Sequence, residues 1–175
     1  QEHVVEAAKA FRNRHIPIDA IVQDWLYWGD LGWGPQWDSK RYPDPAGMMK
    51  ELQALDVHFM ASVWSKFDQK TEFYKQMKVS GWLLGDSTYY DAWNPEARAL
   101  FYNFSKASHF SIGVDSLWLD ATEPEFLPNT DAKCYLGSGN AYMNTYSLMT
   151  TQAIAEGLRR DFPDAQGARV FSLTR

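Results

Sequence analysis

The chain has 175 residues and a single cysteine, Cys134, so no internal disulfide framework can form. No apolar run approaches the roughly 20 residues that a membrane-crossing helix needs. Residues 1–15, QEHVVEAAKAFRNRH, read as an amphipathic helix and not as a basic, apolar, then small-residue leader. Positive charge is sparse: 17 Lys and Arg stand against 22 Asp and Glu, for a net charge of −5, and no basic block is present to track a phosphate backbone. His3, His15, His58 and His109 fall at no metal-like spacing, and the sequence holds no GxGxxG, no GxxxxGK[ST] and no serine nucleophile elbow. We therefore expect no nucleic acid, no membrane, no cofactor and no metal among its partners. The compartment stays open.

Aromatic side chains, in contrast, are abundant, with eight Trp, nine Tyr and ten Phe. Trp25, Trp28, Trp33 and Trp37 crowd into one short stretch. An indole pairs a flat apolar face with a polar edge, which suits a sugar ring as well as it suits packing a loop onto a core.

Helical and extended patterns alternate along the chain. Val4, Ala8, Phe11 and His15 recur at helical spacing until Pro17, and AIVQDW (20–25) is a short β-branched run ending in acid. A Gly- and Trp-rich loop follows, from Tyr27 to Tyr42, long enough to suggest a function of its own. Asp44 and Pro45 then form a helix start, with Met48, Met49, Leu52 and Leu55 at helical spacing. VHFMASVW (57–64) reads as a strand, 71–79 as a helix and GWLLG (81–85) as a short extended piece. Asn94 and Pro95 open another helix, SLWLDA (116–121) is the third main strand, and an irregular stretch runs from Glu123 to about Asn140. A helix over about 143–160 and a last strand, ARVFSLTR, complete the pattern. Such alternation predicts an α/β fold of four main parallel strands with crossover helices. A complete (β/α)8 barrel takes about 250 residues, so the expectation is either a small open sheet or about half of a TIM barrel.

Asp24, Trp64, Asp120 and Arg175 fall at or near the C-terminal ends of these strands. That edge is where α/β folds bind ligands. Asp120, held by a strand whose flanks Leu117 and Leu119 are buried, suits a nucleophile for attack at an anomeric carbon; an Asp capping the next turn is the alternative. Glu123 and Glu125 lie on the same loop and are poorly placed as a proton donor from the opposite face, so Glu123 is expected to support the site rather than to react. Asp24 suits sugar hydroxyls and Arg175 a carboxylate or a hydroxyl pair, unless the two form a salt bridge or anchor a loop.

WLDATEPE (118–125), IPIDAIVQDWLYW (16–28), RYPDPAGMMKEL (41–52) and the closing RVFSLTR together resemble glycoside hydrolase family 31, most of all its bacterial α-xylosidase branch. The resemblance runs through essentially the whole chain. It implies that Asp120 is the catalytic nucleophile of a retaining mechanism and that Asp24 contacts hydroxyls of the sugar in the −1 subsite. It also implies that Trp64 and Trp118 line that subsite and that Arg175 contacts the same sugar. Trp25, with Trp28 and Trp64, borders the space that a C6 hydroxymethyl group would need. The family's acid/base Asp follows the L-T-R segment and so is not in this chain; nor are the other barrel strands and the flanking β domains. The implied reading is a segment, 1–175, of one catalytic barrel domain that removes terminal α-linked xylose from xyloglucan-type oligosaccharides, inactive alone and prone to self-associate through exposed barrel edges. An α-glucosidase or transglucosylase of the family, a non-catalytic carbohydrate-binding domain, and a stand-alone α/β domain holding Mg²⁺ or Ca²⁺ on Asp24, Asp120 and Glu123 are the competing readings.

Overall fold

The computed structural model describes residues 1–123, 132–163 and 171–174. In chain order its elements are α1 (Glu2–Asn13), β1 (Ala20–Gln23), α2 (Pro45–Ala54), β2 (His58–Trp64), α3 (Glu72–Val79), α4 (Pro95–Ser108), β3 (Ser116–Asp120), the two-residue strands β4 (Lys133–Cys134) and β5 (Gly137–Ser138), α5 (Gly139–Tyr142), α6 (Tyr146–Asp161) and β6 (Ser172–Thr174).

The helix starts are chemically marked. Asp44 accepts the Gly47 N–H at 2.8 Å with Pro45 at the first helical position. Asn94 accepts that of Glu96 at 2.9 Å, again followed by proline, and Thr71 that of Tyr74 at 3.2 Å. Each such cap is worth about 1 kcal/mol. Helix α1 differs from expectation: Val5 and Ala8 are its buried residues, Phe11 is exposed, and the chain leaves the helix before His15, which has φ 55°. The cause is the turn just after α2, where the Arg12 guanidinium donates to Leu55 O at 2.9 Å and to Asp56 O at 2.6 Å, while Lys9 meets Glu51 of α2 at 3.1 Å. Two further differences lie outside the helices. GWLLG forms no strand, only an isolated bridge from Leu83 to Tyr90, and the stretch expected to be irregular contains the β4–β5 hairpin and the start of α5.

The main sheet is parallel, in the order β1-β2-β3-β6. Because paired residues share a face, Phe59, Ala61, Val63, Leu117 and Leu119 all point to one side. They are buried in a core that includes Met48, Met49 and Leu52 of α2 and Phe101 of α4. The other side carries Val22, Met60, Ser62, Trp118 and Leu173, of which Val22 and Leu173 are 49% and 47% exposed. In a closed barrel that side is the interior, filled by layers of side chains from every second strand. At the foot of the sheet the Asp115 carboxylate accepts the Phe59 N–H at 2.8 Å and lies 3.1 Å from His58 Nδ1. Behind the sheet, α4 and α6 approach so closely that a Cβ at Gly157 would lie 2.2 Å from the Tyr102 ring. Glycine costs about 1 kcal/mol in a helix, and here it admits that ring.

One buried polar chain ties the long loop to the scaffold. The Tyr27 hydroxyl donates to Ser62 O at 2.8 Å and meets His109 Nε2 at 3.0 Å, while His109 Nδ1 meets Ser108 Oγ at 2.6 Å. With a proton on Nε2 the ring donates to the Tyr27 oxygen, and the single Ser108 hydroxyl proton is shared between Nδ1 and Phe104 O, which lies 2.8 Å from Ser108 Oγ. Burial of the imidazole lowers its pKa from 6.5 to about 3. The unfolded chain therefore takes up the proton first. The stabilisation is complete above pH 6.5 and is lost as pH falls towards 3, at about 1.4 kcal/mol per pH unit. The difference in unfolding free energy between the wild type and His109→Gln, from urea titrations, should shrink at that slope below pH 6.5; a difference independent of pH would refute a neutral buried imidazole.

Candidate active site

Three of the expected site residues come from the ends of adjacent strands. The last pair of β2 and β3 sets Trp64 opposite Asp120. Asp24 follows the pair Gln23–Ala61, so continuing the register places it level with Ser62. Its Oδ1 accepts the Trp25 N–H at 2.8 Å, which fixes the turn by which the chain leaves β1. Trp118 shares the face of Ser62 and Leu173 and is half-buried. Asp120 and Glu123 are half-buried, Asp24 is exposed, and the Glu123 carbonyl lies 3.5 Å from the Tyr89 hydroxyl. Glu125 and Arg175 lie outside the described residues.

Trp64 is the hub of the aromatic wall. Trp25 stacks on it at 5.8 Å and 23°, and Trp28 and Trp33 meet it edge-on, each at 5.1 Å. The Lys66 ammonium lies 4.9 Å from the Trp33 ring, 5.1 Å from that of Trp64 and 5.9 Å from that of Tyr89. Such contacts contribute about 0.5–1 kcal/mol at exposed sites and more when desolvated. The tryptophans of the loop thus divide the two roles that their sequence left open. Trp28 is buried in the core, and Trp37 anchors the loop by donating to Ser108 O at 2.7 Å. Trp25, 48% exposed, presents a ring face at the rim. The Trp64 indole N–H is buried and has no acceptor among the described residues.

Sequence reasoning missed the groups that hold this rim. The backbone just past Asp120 is left-handed, with Ala121 at φ 48°, and Ser65 Oγ donates to Ala121 O at 2.9 Å. Lys66 and Tyr89 were missed as well; they face each other across an isolated bridge. A serine or lysine just after a strand carries no signal of its own, because the partner is set only when the strands align. Among the described residues no group of three His, Cys, Asp or Glu is placed to hold a metal ion, and no helix is long and apolar enough to cross a membrane.

Parallel strands that bring carboxylates and indoles to their C-terminal edge define part of an α/β barrel with the surface chemistry suited to sugar rings. Residues 1–175 match the model of the glycosyl hydrolases family 31 TIM-barrel domain, and the chain belongs to that family. It is 36% identical over 183 residues to an α-xylosidase of Saccharolobus solfataricus, a match that spans the whole of this chain and 24% of that protein. Among solved structures it is similar to a family 31 α-xylosidase from Xanthomonas citri, with 29% identity, a TM-score of 0.85, and 98% of this chain and 21% of that one covered. It is also similar to a family 31 α-xylosidase from a soil metagenome, solved in complex with xylose, at 27% identity and a TM-score of 0.83, covering 99% and 28%. The chain spans about a quarter of the length of the curated relative it matches. The expected fold, part of a TIM barrel, stands.

Trp64→Phe keeps a ring in the cluster and removes a buried N–H without an acceptor among the described residues, so it should change unfolding free energy by less than about 1.5 kcal/mol. Trp64→Ala should cost about 3 kcal/mol or more. Equal losses in thermal or denaturant unfolding would assign the stabilisation to the N–H instead of to ring packing.

Proposed function

We propose that this chain supplies the nucleophile side of the active site of a retaining, exo-acting α-glycosidase that removes terminal α-linked xylose from xyloglucan-type oligosaccharides. The observation that carries the reading is the pairing of Asp120 with Trp64 at the C-terminal edge of the sheet, inside a wall of indoles. A carboxylate fixed on a strand end can attack the anomeric carbon from one face of a ring that rests against an aromatic surface. The bond to the leaving oxygen breaks as that oxygen takes a proton, and an ester between the sugar and Asp120 forms. Water then attacks the same carbon, releases the sugar with net retention and restores the carboxylate. In this reading Asp24 and Arg175 hold the sugar hydroxyls, Trp25, Trp64 and Trp118 line its subsite, and Glu123 supports the loop that follows Asp120. The proton donor is the acid/base Asp that the family resemblance places beyond the L-T-R segment.

Xylose has no C6 hydroxymethyl group, so the space around Trp25, Trp28 and Trp64 is where it would be told from glucose. The similarity to α-xylosidases supports xylose. We place residues 1–175 as a segment of one catalytic barrel domain, with the remaining strands supplied by other parts of the natural protein. Expressed alone, the 175-residue chain should show no turnover of an unactivated xyloside. Its sheet edges, β1 and β6, should make it self-associate, and a monodisperse monomer in sedimentation would count against that second expectation.

The full natural protein is to be treated with 5-fluoro-α-xylosyl fluoride and 5-fluoro-α-glucosyl fluoride, digested and mapped. A xylosyl adduct on the peptide containing residues 116–125, lost in Asp120→Asn, is the expected result. A glucosyl adduct alone would change the assignment to an α-glucosidase. No adduct from either reagent on folded protein would favour a carbohydrate-binding domain without turnover.

A further inference from the structure

The ladder between β2 and β3 stops at Trp64 and Asp120, and the next residue on β3's side, Ala121, turns at φ 48°. For a residue with a Cβ this left-handed conformation is disfavoured about tenfold or more relative to ordinary backbone, a cost that glycine does not carry. The turn persists because other elements hold its carbonyls. Ser65, the residue after Trp64, is fully buried and donates from Oγ to Ala121 O at 2.9 Å. Ser147 of α6 donates to the carbonyl of the equally buried Thr122 at 3.1 Å. Ser65 is itself held, since its own carbonyl lies 3.5 Å from the hydroxyl of Tyr146, a core residue of α6.

We propose that Ser65 is a positioning residue for Asp120: its hydroxyl replaces the backbone ladder where the ladder ends, and so holds the left-handed turn that fixes the carboxylate at the rim of the sugar site. The proposal rests on the reading of Asp120 as the nucleophile. Asp120 is the last residue of its strand, so its backbone is fixed on one side by the sheet and on the other by this turn. If the turn relaxes, the backbone that carries the carboxylate shifts with it, while Asp24 and the indole wall still bind the sugar. Loss of alignment by a fraction of an ångström then appears in the bond-forming step and not in binding.

The experiment uses the full natural protein in three forms: wild type, Ser65→Ala, and Ser65→Ala with Ala121→Gly. The substrate is the aryl α-glycoside of whichever sugar labels Asp120, and competent sites are counted by stoichiometric labelling with the matching 5-fluoroglycosyl fluoride. Ser65→Ala should lower kcat per competent site about tenfold and leave KM within about twofold. Ala121→Gly, which adopts the same turn without the steric cost, should recover about threefold or more of that loss. Unchanged kcat per competent site in Ser65→Ala, with only the number of folded molecules reduced, would overturn the proposal. So would a double variant no faster than Ser65→Ala, because the hydroxyl would then be a packing group and not the support of a strained turn. A wild-type protein that takes no label on Asp120 would instead overturn the nucleophile reading, and the positioning proposal with it.

Discussion

The rim depends on the register of β2 against β3, and that register is pinned at both ends by side chains. At the foot, the Asp115 carboxylate accepts the Phe59 N–H. At the top, the Ser65 hydroxyl reaches Ala121 O. Five residue pairs lie between, from Met60–Ser116 to Trp64–Asp120. A slip of one residue would send Asp120 to the helix side of the sheet and bring Leu119 to the rim, since the faces alternate with every residue. A carboxylate buried there among Met48, Phe101 and their neighbours would meet a large desolvation cost. The apolar core thus selects the alignment that presents the acid at the edge.

The aromatic wall is a structural device in its own right. Trp64 lies at the end of a strand, yet three tryptophans from the loop after β1 converge on it. That loop is anchored from below by Tyr27, Trp37 and His109, all within the reach of α4 and β2. Rigid anchoring of this kind lets a long connection behave as part of the scaffold.

Much of this was legible in the sequence. Asp44-Pro45 and Asn94-Pro95 announce helix starts because capping chemistry is local. VHFMASVW and SLWLDA announce strands because each is a short, largely apolar run. Asp120 stood out for the same reason: acid follows an apolar run. What was hidden depends on partners distant in the chain. The buried stripe of α1 is set by α2. The β4–β5 hairpin has only two residues per strand, too few for any periodicity, and is anchored by the Tyr135 N–H to Asp91 at 2.6 Å. The division of labour between Trp25 and Trp28, and the support that Ser65 gives Ala121, exist only once β2 and β3 lie side by side.

The order of the strands across the sheet, β1-β2-β3-β6, is also their order along the chain. Each strand therefore joins an edge that an earlier segment has already made, and none has to be inserted between two others. At a synthesis rate of about 5–20 residues per second, pairing can keep pace with the chain as it leaves the ribosome. Trp64 is in place before Asp120 is made. The strand that carries Asp120 is thus laid onto a finished template, with the indole wall already waiting.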